Sequence, residues 1–495
     1  MASCLPNETI QEIVLVLYEA YSKPFNIIYH SCMLLNKKWC VNTMAVIWRK
    51  VLDDYNGYDK RIIDAYIIEL SQDSKDLIGI SKEEGTNYYN YASFLREIDL
   101  LNLYDVLAKY VAYLNNDSGN IKLLEEQDFY TIQILYHELL KLFIKESENL
   151  SYKIIFRDHH SLRLNPFKNC PFYNNLSKII PTNSHLTSLQ CFVYLDPEVL
   201  LEFSKIFSSV DHLQFFGELN YKDLIDNAGL VTLMESINTI KKLELFMGYS
   251  SKITEHKVVE AISKKVDSLV KLCVGGEKSS AENVMKIFTE QLALKNLKEF
   301  EYSGCLKASC FDMLLQNANG NIKKLTIHDC YLKDEEGKKC FLVFDSICNY
   351  CPRLTSLYIC IDKERIEYIF NILEACQNLQ KLALFETTET NFSINDWMLR
   401  FPIFSPPSLK FFKFGYGLKF NMVNLEKFFQ GCYDKSIKDM YFFVMDSELS
   451  EAKELVEKYI ELGTLNWKSR RCYLGDEFLY QNRHLYTVNF TTSDV

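Results

Sequence analysis

A spaced pattern of apolar residues recurs through the second half of this chain and restricts its fold more than any other feature. Three apolar residues, separated by two positions and then by one, occur ten times, with 24 to 32 residues between successive starts. The last two residues of each triplet are two apart, so they point to the same face of a short strand. The pattern therefore predicts one strand per repeat. The triplets begin at Leu186, Val210, Ile240, Leu269, Leu297, Ile322, Leu354, Leu379, Leu409 and Ile437.

The segments between the triplets have the features of helices. One of them, DPEVLLEFSKIF, places Asp196 where an N-cap belongs and Pro197 at the first helical position. A strand–helix unit cannot bury its apolar face alone, whereas stacked copies make a continuous core. The spacing and the period resemble those of leucine-rich repeats. We therefore expect an α/β fold, with an irregular solenoid over residues 181–495 that has parallel strands on its concave side and helices on its convex side.

The turns depart from the regular form of these repeats. A cysteine-containing subtype carries Cys or Asn eight positions after the first apolar residue, and only Cys305 and Cys330 match it here. We expect looser, irregular turns for this reason. Near the end of the chain, Leu485, Val488 and Phe490 repeat the apolar spacing, which predicts one or two capping strands.

The first fifty residues form a separate pattern of three short helices. Ile10, Ile13, Val14 and Leu17 share one face of the first helix, which begins near Pro6. A second stripe contains Ile28, Cys32, Leu35 and Trp39, and a third contains Val41, Ala45 and Trp48. A unit of this size cannot bury a sufficient core of its own. It must either pack against the rest of the chain or dock on a partner.

Residues 51–180 are predicted to be a mostly helical linking region. Amphipathic stretches begin at Lys60, Asp99 and Gln127. Pro166, Pro171 and Pro181 indicate irregular connections before the repeats.

The order of these parts resembles F-box proteins of the fungal type with C-terminal leucine-rich repeats. The F-box pattern starts with Leu-Pro and an acidic residue, continues with an Ile/Leu-rich helix and an N-x-x-W segment, and ends in Ile/Leu-Trp. The matching residues here are Leu5, Pro6, Glu8, Ile10, Ile13, Leu17, Cys32, Leu35, Asn36, Trp39, Ile47, Trp48 and Arg49. The match predicts an F-box at residues 1–50.

The resemblance implies a non-catalytic role. F-box proteins dock on the Skp adaptor of a cullin–RING ubiquitin ligase, and their repeats hold a protein substrate. On this basis the adaptor would contact, or be supported by, Leu5, Pro6, Ile10, Ile13, Leu17, Leu35, Trp39 and Trp48. The alternative is that these residues form a private core, so that the head only caps a protein-binding scaffold that acts independently of a ubiquitin ligase.

The concave strand face is the predicted substrate surface. Residues two, four and six positions after each first apolar residue point away from the core, and many of them are aromatic, which is typical of protein-binding sites. They include Phe192, Phe216, Phe246, Tyr358, Phe385, Phe411, Tyr441 and Phe443. A column of lysines at Lys242, Lys271, Lys324 and Lys381 favours an acidic partner. The alternative is that some aromatics pack under loops or that the register differs.

Composition excludes several other classes. The net charge of −10 argues against a chain-wide nucleic-acid footprint, and the net charge of +2 in the first fifty residues only weakly supports a helix-turn-helix DNA reader. No apolar run is long enough for a membrane span, and no secretory signal is visible. The 16 scattered cysteines suit free thiols in a reducing compartment. We expect a cytoplasmic and/or nuclear protein without nucleic-acid or membrane partners.

Motifs that carry chemistry are sparse. Cys348 and Cys351 form a C-x-x-C pair, but no second pair follows, so a structural role is favoured over zinc binding. His159 and His160 lie in the linking region without suitable partners, and Gly275-Gly276 lacks the spacing of a phosphate loop. We predict no enzyme, no metal and no cofactor. The remaining alternative, an enzyme hidden in the linking region, predicts bound metal.

Overall fold

A computed structural model describes the greater part of the chain, which divides into two compact units. The units comprise residues 1–215 with 223–240, and residues 216–222 with 241–495. The borders predicted at residues 50 and 180 both fall inside the first unit. The described residues are 5–21, 27–52, 60–79, 89–114, 126–155, 173–192, 197–216, 228–247, 257, 260–276, 289, 294–303, 308–328, 341–386, 393–414, 421–434, 439–444, 454–455, 466–469 and 484–489.

The first unit begins with three helices, α1 (Asn7–Tyr21), α2 (Ile27–Leu35) and α3 (Lys37–Ile47). Asn36 separates the last two, because its side chain accepts a hydrogen bond from the Trp39 N–H at 3.1 Å and so caps α3. The remaining helices are α4 (Lys60–Glu69), α5 (Gln72–Ile78), α6 (Leu100–Leu114), α7 (Glu126–Glu146), α8 (Pro197–Ile206) and α9 (Ala228–Ser236).

The three N-terminal helices are fixed to the residues that follow them. The indole of Trp48 is buried, stacking on Tyr91 at a centroid distance of 4.2 Å and meeting Tyr66 edge-on at 5.4 Å. The Arg96 N–H donates to the Arg49 carbonyl at 3.1 Å. The head is therefore continuous with the linking region and does not form an isolated unit.

The linking region contains strands that the sequence analysis did not predict. The first unit has the strand order β1 (Glu97–Asp99), β2 (Ser151–Ile154), β3 (Ser184–Phe192) and β4 (Phe207–Phe216), and β2 is parallel to both β1 and β3. Leu95, Ile98 and Leu100 surround β1 with the spacing of the repeat triplet, and all three are fully buried. The strand array thus begins about ninety residues before the first predicted triplet.

The second unit is a long parallel sheet with helices between its strands, which confirms the α/β class. The strands are β5 (Thr239–Met247), β6 (Lys271–Gly276), β7 (Glu299–Ser303), β8 (Lys324–His328), β9 (Ser356–Ile361), β10 (Lys381–Glu386), β11 (Phe411–Phe414) and β12 (Asp439–Val444). The helices described between them are α10 (Ala308–Asn317), α11 (Leu342–Tyr350), α12 (Tyr368–Ala375), α13 (Asn395–Phe404) and α14 (Met422–Asp434).

Two further strands extend the sheet at its C-terminal edge. β14 (His484–Asn489) pairs antiparallel with β12, and β13 (Asn466–Ser469) pairs antiparallel with β14. Leu485 and Val488 lie in β14, as the capping prediction required, whereas Phe490 lies outside the described residues. The change from parallel to antiparallel pairing marks the end of the repeats.

The register of the sheet places equivalent triplet residues side by side. The second apolar residue of each triplet pairs with its counterpart on the next strand, in the series Leu243, Leu272, Phe300, Leu325, Leu357, Leu382, Phe412 and Met440. The members of this series from β5 to β11 are buried. At about 1.5–3 kcal/mol for each large apolar side chain removed from water, this row is a principal source of the unit's stability.

The turns that enter the strands share a repeated side-chain contact. A polar side chain just before a triplet donates to a backbone carbonyl of the preceding repeat and so helps to satisfy the backbone of the turn. The pairs are Asn296 to Asp267, Asn321 to Lys295, Asn378 to Pro352 and Ser408 to Gln377, with distances from 2.7 to 3.3 Å. Cys305 and Cys330, on which the expectation of loose turns rested, lie outside the described residues.

Candidate functional site

The residues that match the F-box pattern divide into a buried and an accessible group. Ile10, Trp39 and Trp48 are buried within the chain, so their side chains hold the helices together and are not available for contact. Leu5 and Leu17 are half-buried, and Pro6 is exposed.

Apolar side chains on α1 and α2 remain in water. Ile13 is 37% exposed and Leu35 is 56% exposed, and both were among the predicted adaptor-binding residues. Two further side chains are more exposed, Val16 at 64% and Leu34 at 71%, and neither was among the predicted adaptor-binding residues. The signal for them was their position away from the stripes that the helical period assigns to the core. Large apolar side chains exposed on neighbouring helices are typical of a docking surface.

A polar network fixes α1 against α3. The Asn42 side chain is buried, accepts a hydrogen bond from Gln11 at 2.9 Å and donates to the Lys38 carbonyl at 2.8 Å and to Asn7 at 3.2 Å. The Lys38 ammonium donates to the Leu5 carbonyl at 2.6 Å. These bonds tie the start of the chain to α3, so the exposed side chains of α1 are presented on a fixed framework.

A nearly buried carboxylate lies at the start of the first unit's sheet. Glu97 of β1 contacts Lys153 at 2.5 Å and Lys50 at 2.8 Å, and accepts a hydrogen bond from Thr187 at 3.3 Å. Burial alone would raise the pKa of Glu97, but the bonds from Lys153 and Lys50 outweigh it and hold the pKa below its usual range. Lys50, at the end of the head, is thus joined electrostatically to the linking region.

The second candidate surface is the open face of the second unit's sheet, defined as the side opposite the buried triplet side chains. Positions two, four and six after the first apolar residue fall on this side, because side chains alternate between the two faces of a strand. Phe216 and Phe246 stack at a centroid distance of 5.0 Å. Gly275 lies beside Phe246, where a Cβ atom would approach the ring to 3.0 Å, so glycine leaves room for the aromatic pair.

The lysine column on the open face is largely neutralised by the chain itself. Each of three lysines lies close to a glutamate on the same face, in the pairs Lys242–Glu244 at 2.5 Å, Lys271–Glu301 at 3.6 Å and Lys324–Glu299 at 3.9 Å. Lys381 is exposed and has no ion-pair or hydrogen-bond partner among the described side chains. The expectation of an acidic partner therefore applies to Lys381 and no longer to the first three lysines of the column.

Aromatic side chains lie near Lys381. Tyr358, Phe385 and Phe411 are half-buried on β9, β10 and β11, and the Lys413 ammonium is 5.3 Å from the centroid of the Phe385 ring. The predicted residue Phe192 belongs to β3 of the first unit, and Tyr441 and Phe443 belong to β12. The side chains of these three residues lie outside the described part of the structure.

The cysteines have the properties of structural thiols. The nine whose side chains are described are not in disulfide bonds, and burial raises the pKa of Cys348 to about 11 and that of Cys376 to about 12. Cys351 is fully buried at the end of α11, and its carbonyl accepts a weak bond from the Cys376 thiol at 3.5 Å. Such thiols are protonated at neutral pH and are poor nucleophiles and metal ligands.

Within the described ranges, no group of three His, Cys, Asp or Glu side chains is arranged to hold a metal ion. His159 and His160 lie outside those ranges. The helices that the structure describes include none with the length and apolar character needed to span a bilayer.

No protein-family model matches this chain. A search of curated proteins gives no match either. Two surfaces of the chain therefore remain as the candidates for function, namely the exposed apolar side chains of α1 and α2 and the open face of the second unit's sheet.

Proposed function

We propose that this chain is the substrate-recognition subunit of a Skp–cullin–F-box ubiquitin ligase. The N-terminal helices dock on the Skp adaptor, and the open face of the repeats holds a target protein. The chain does no chemistry in this role, since it raises the local concentration of the target at the ligase. Its place of action is the cytoplasm and/or the nucleus.

The observation that carries the proposal is the exposure of Ile13 and Leu35 on a framework that is otherwise well packed. Ile10, Trp39 and Trp48 supply the buried framework. A docking motif needs both properties, because rigid presentation lowers the entropy lost on binding and accessible apolar side chains supply the driving force. Complete burial of a leucine or isoleucine against a partner is worth about 1.5–3 kcal/mol.

The test is binding of the full-length chain to purified Skp adaptor, measured by titration calorimetry. Ile13→Asp and Leu35→Asp should each weaken binding by about tenfold or more, because a charge would be placed in an apolar contact. Leu77→Asp is the matched control, since Leu77 is 64% exposed on α5, away from the F-box residues. Equal effects of all three substitutions, or no binding by the unmodified chain, would reject the proposal.

A second candidate, a repeat scaffold that acts without a ligase, is favoured by the tight attachment of the head. The contacts of Trp48 with Tyr66 and Tyr91, and those of Lys50 with Glu97, are what an N-terminal cap requires. The double substitution of Leu5 and Pro6 by Ala separates the two candidates. Loss of adaptor binding with an unchanged melting temperature supports the ligase subunit, whereas a lower melting temperature with no adaptor binding by either protein supports the cap.

A further inference from the structure

Charge is distributed unevenly over the open face of the second unit. On β5 to β8, the outward positions carry Lys242, Glu244, Lys271, Glu299, Glu301 and Lys324, which are three lysines and three glutamates joined in pairs. On β9 to β11, the corresponding described positions are Ser356, Tyr358, Cys360, Lys381, Ala383, Phe385, Phe411 and Lys413. This second group, called here the basic aromatic patch, contains two lysines and no carboxylate.

Strand register makes the patch one surface. Lys381 pairs with Ser356 on one side and with Phe411 on the other, and Ala383 pairs with Tyr358 and Lys413. Neighbouring strands are about 4.8 Å apart, so Lys381 and the residues around it lie within reach of a single extended peptide. Ala383 at the centre is fully buried, so the larger side chains around it form the accessible surface of the patch.

The nearest acidic position in the Lys381 column lies beyond the patch. Asp439 on β12 pairs with Phe411 and is two strands, or about 10 Å, from Lys381. On the other side, the first acidic residue in the column is Glu299, three strands away, and it is paired with Lys324. The charge of Lys381 is therefore not matched by a carboxylate on either neighbouring strand.

We propose that the basic aromatic patch binds an acidic segment of the target protein, in which Asp or Glu residues alternate with apolar ones. Lys381 pairs with a carboxylate of the segment, Lys413 adds to the positive charge around it, and Tyr358, Phe385 and Phe411 contact the apolar side chains on either side. The inference rests on the proposed role of the repeats in holding a target and specifies the chemistry of that target. A basic segment would be repelled by the lysines of the patch. The strands β5 to β8 would not bind it either, because their three glutamates are already paired with lysines.

The test is selection of a display library of random peptides on the full-length chain, followed by fluorescence anisotropy with the most enriched labelled peptide. We expect enrichment of peptides that combine Asp or Glu with large apolar residues, and binding that weakens as salt is raised. Lys381→Glu should weaken the binding of that peptide by about tenfold, and the double variant with Lys413→Glu by more.

The matched control is the double variant Lys295→Glu and Lys427→Glu. Both lysines are exposed, Lys295 in the turn before β7 and Lys427 on α14, and the change in net charge is the same as in the patch double variant. Its peptide affinity should remain within about twofold, because the charges are remote from the patch. Circular dichroism and thermal melting check that all variants are folded, and Lys381→Glu alone is decisive if the double patch variant is unstable.

Enrichment of basic or uncharged peptides, enrichment of none, or equal losses in the patch and control variants would overturn the inference. A peptide that binds only when phosphorylated would also overturn it, because the proposal assigns the charge to carboxylates. Adaptor binding in the same preparations separates this failure from that of the proposed function. A chain that binds the adaptor but no acidic peptide keeps its F-box role and loses only the assigned target chemistry.

Discussion

The N-terminal helices and the parallel strands of the second unit differ in how much of their apolar side chains they leave exposed to water. On α1 and α2, Val16 and Leu34 are about two-thirds exposed, whereas Leu325 and Leu357 in the strands are fully buried. The charged residues on the strands of the two sheets that form the ion pairs described above show the reverse arrangement. Glu97 of the first unit is nearly buried, while Lys324 and Glu299 of the second unit pair on an open surface.

This difference indicates where each part can bind. The strands use their leucines for stability, so in the proposed function the polar and aromatic side chains of the open face are the ones that contact a target. The head keeps leucines in water and obtains rigidity from Trp48, Asn42 and the bonds around Glu97. A partner of the head is thus expected to be apolar, and a partner of the repeats is expected to be charged.

The largest effect should follow from removing a leucine of the strand row. Leu357 lies between Leu325 and Leu382 in register and is fully buried, so Leu357→Ala leaves a cavity that its neighbours cannot fill. We expect a loss of about 3–5 kcal/mol in the free energy of unfolding, measured by urea denaturation. A loss below about 1 kcal/mol would contradict the packing described for the row.

The buried charge of the first unit should contribute less. Glu97→Gln removes the partner of Lys153 and Lys50 and should lower the free energy of unfolding by about 1–3 kcal/mol. Because the folded-state pKa of Glu97 is lowered, its stabilisation is complete above the unfolded-state pKa and is lost as the pH falls through the folded-state pKa. Denaturation of both proteins from neutral to acidic pH measures this.

The difference between the wild-type protein and Glu97→Gln should be greatest at neutral pH and shrink under acidic conditions. Glu260→Gln is a suitable control, since this glutamate is exposed and lies 3.7 Å from Lys264. It should change stability by less than about 0.5 kcal/mol. A pH-independent difference for Glu97→Gln would show that the carboxylate does not act through its charge.

Much of the second unit could be predicted from the sequence, because the triplet spacing determines both the strand positions and the buried side. The strands β1 and β2 were not predicted, although Leu95, Ile98 and Leu100 have the same spacing. This copy of the triplet stands about ninety residues before the regular succession of triplets, among segments with a helical period. The pairing of Lys271 with Glu301 could not be predicted either. It depends on which residues the register brings together across strands, and a linear pattern does not contain that information.

The division of the residues that match the F-box pattern into buried and exposed ones could not be predicted from the sequence either. Helical period places Ile10 and Ile13 on one stripe, yet Ile10 is fully buried and Ile13 is not. Residues at the two edges of an apolar stripe differ in burial, because the angle at which α3 and the linking region pack decides which edge is covered. Of the two exposed leucines at the end of α2, Leu35 was among the predicted adaptor-binding residues and Leu34 was not.

A smaller effect on stability is expected from the side-chain hydrogen bonds at the turns that enter the strands. The Asn321 side chain donates to the Lys295 carbonyl at 2.8 Å and accepts a bond from Arg353 at 3.0 Å. Asn321→Ala should cost about 0.5–1.5 kcal/mol in urea denaturation, the range for one net hydrogen bond. Lys323→Ala, at an exposed position two residues away, serves as the control and should be nearly neutral.

The smallest effect on stability should come from the most exposed leucine of the head. Leu34→Ala removes a side chain that is 71% in water, so the free energy of unfolding should change by no more than about 0.5 kcal/mol. If the proposed function holds, the same substitution should weaken Skp adaptor binding measurably, because it removes apolar area only from the proposed docking surface. A large loss of stability would mean that Leu34 belongs to the core of the head, and the contrast with Leu357 would then disappear.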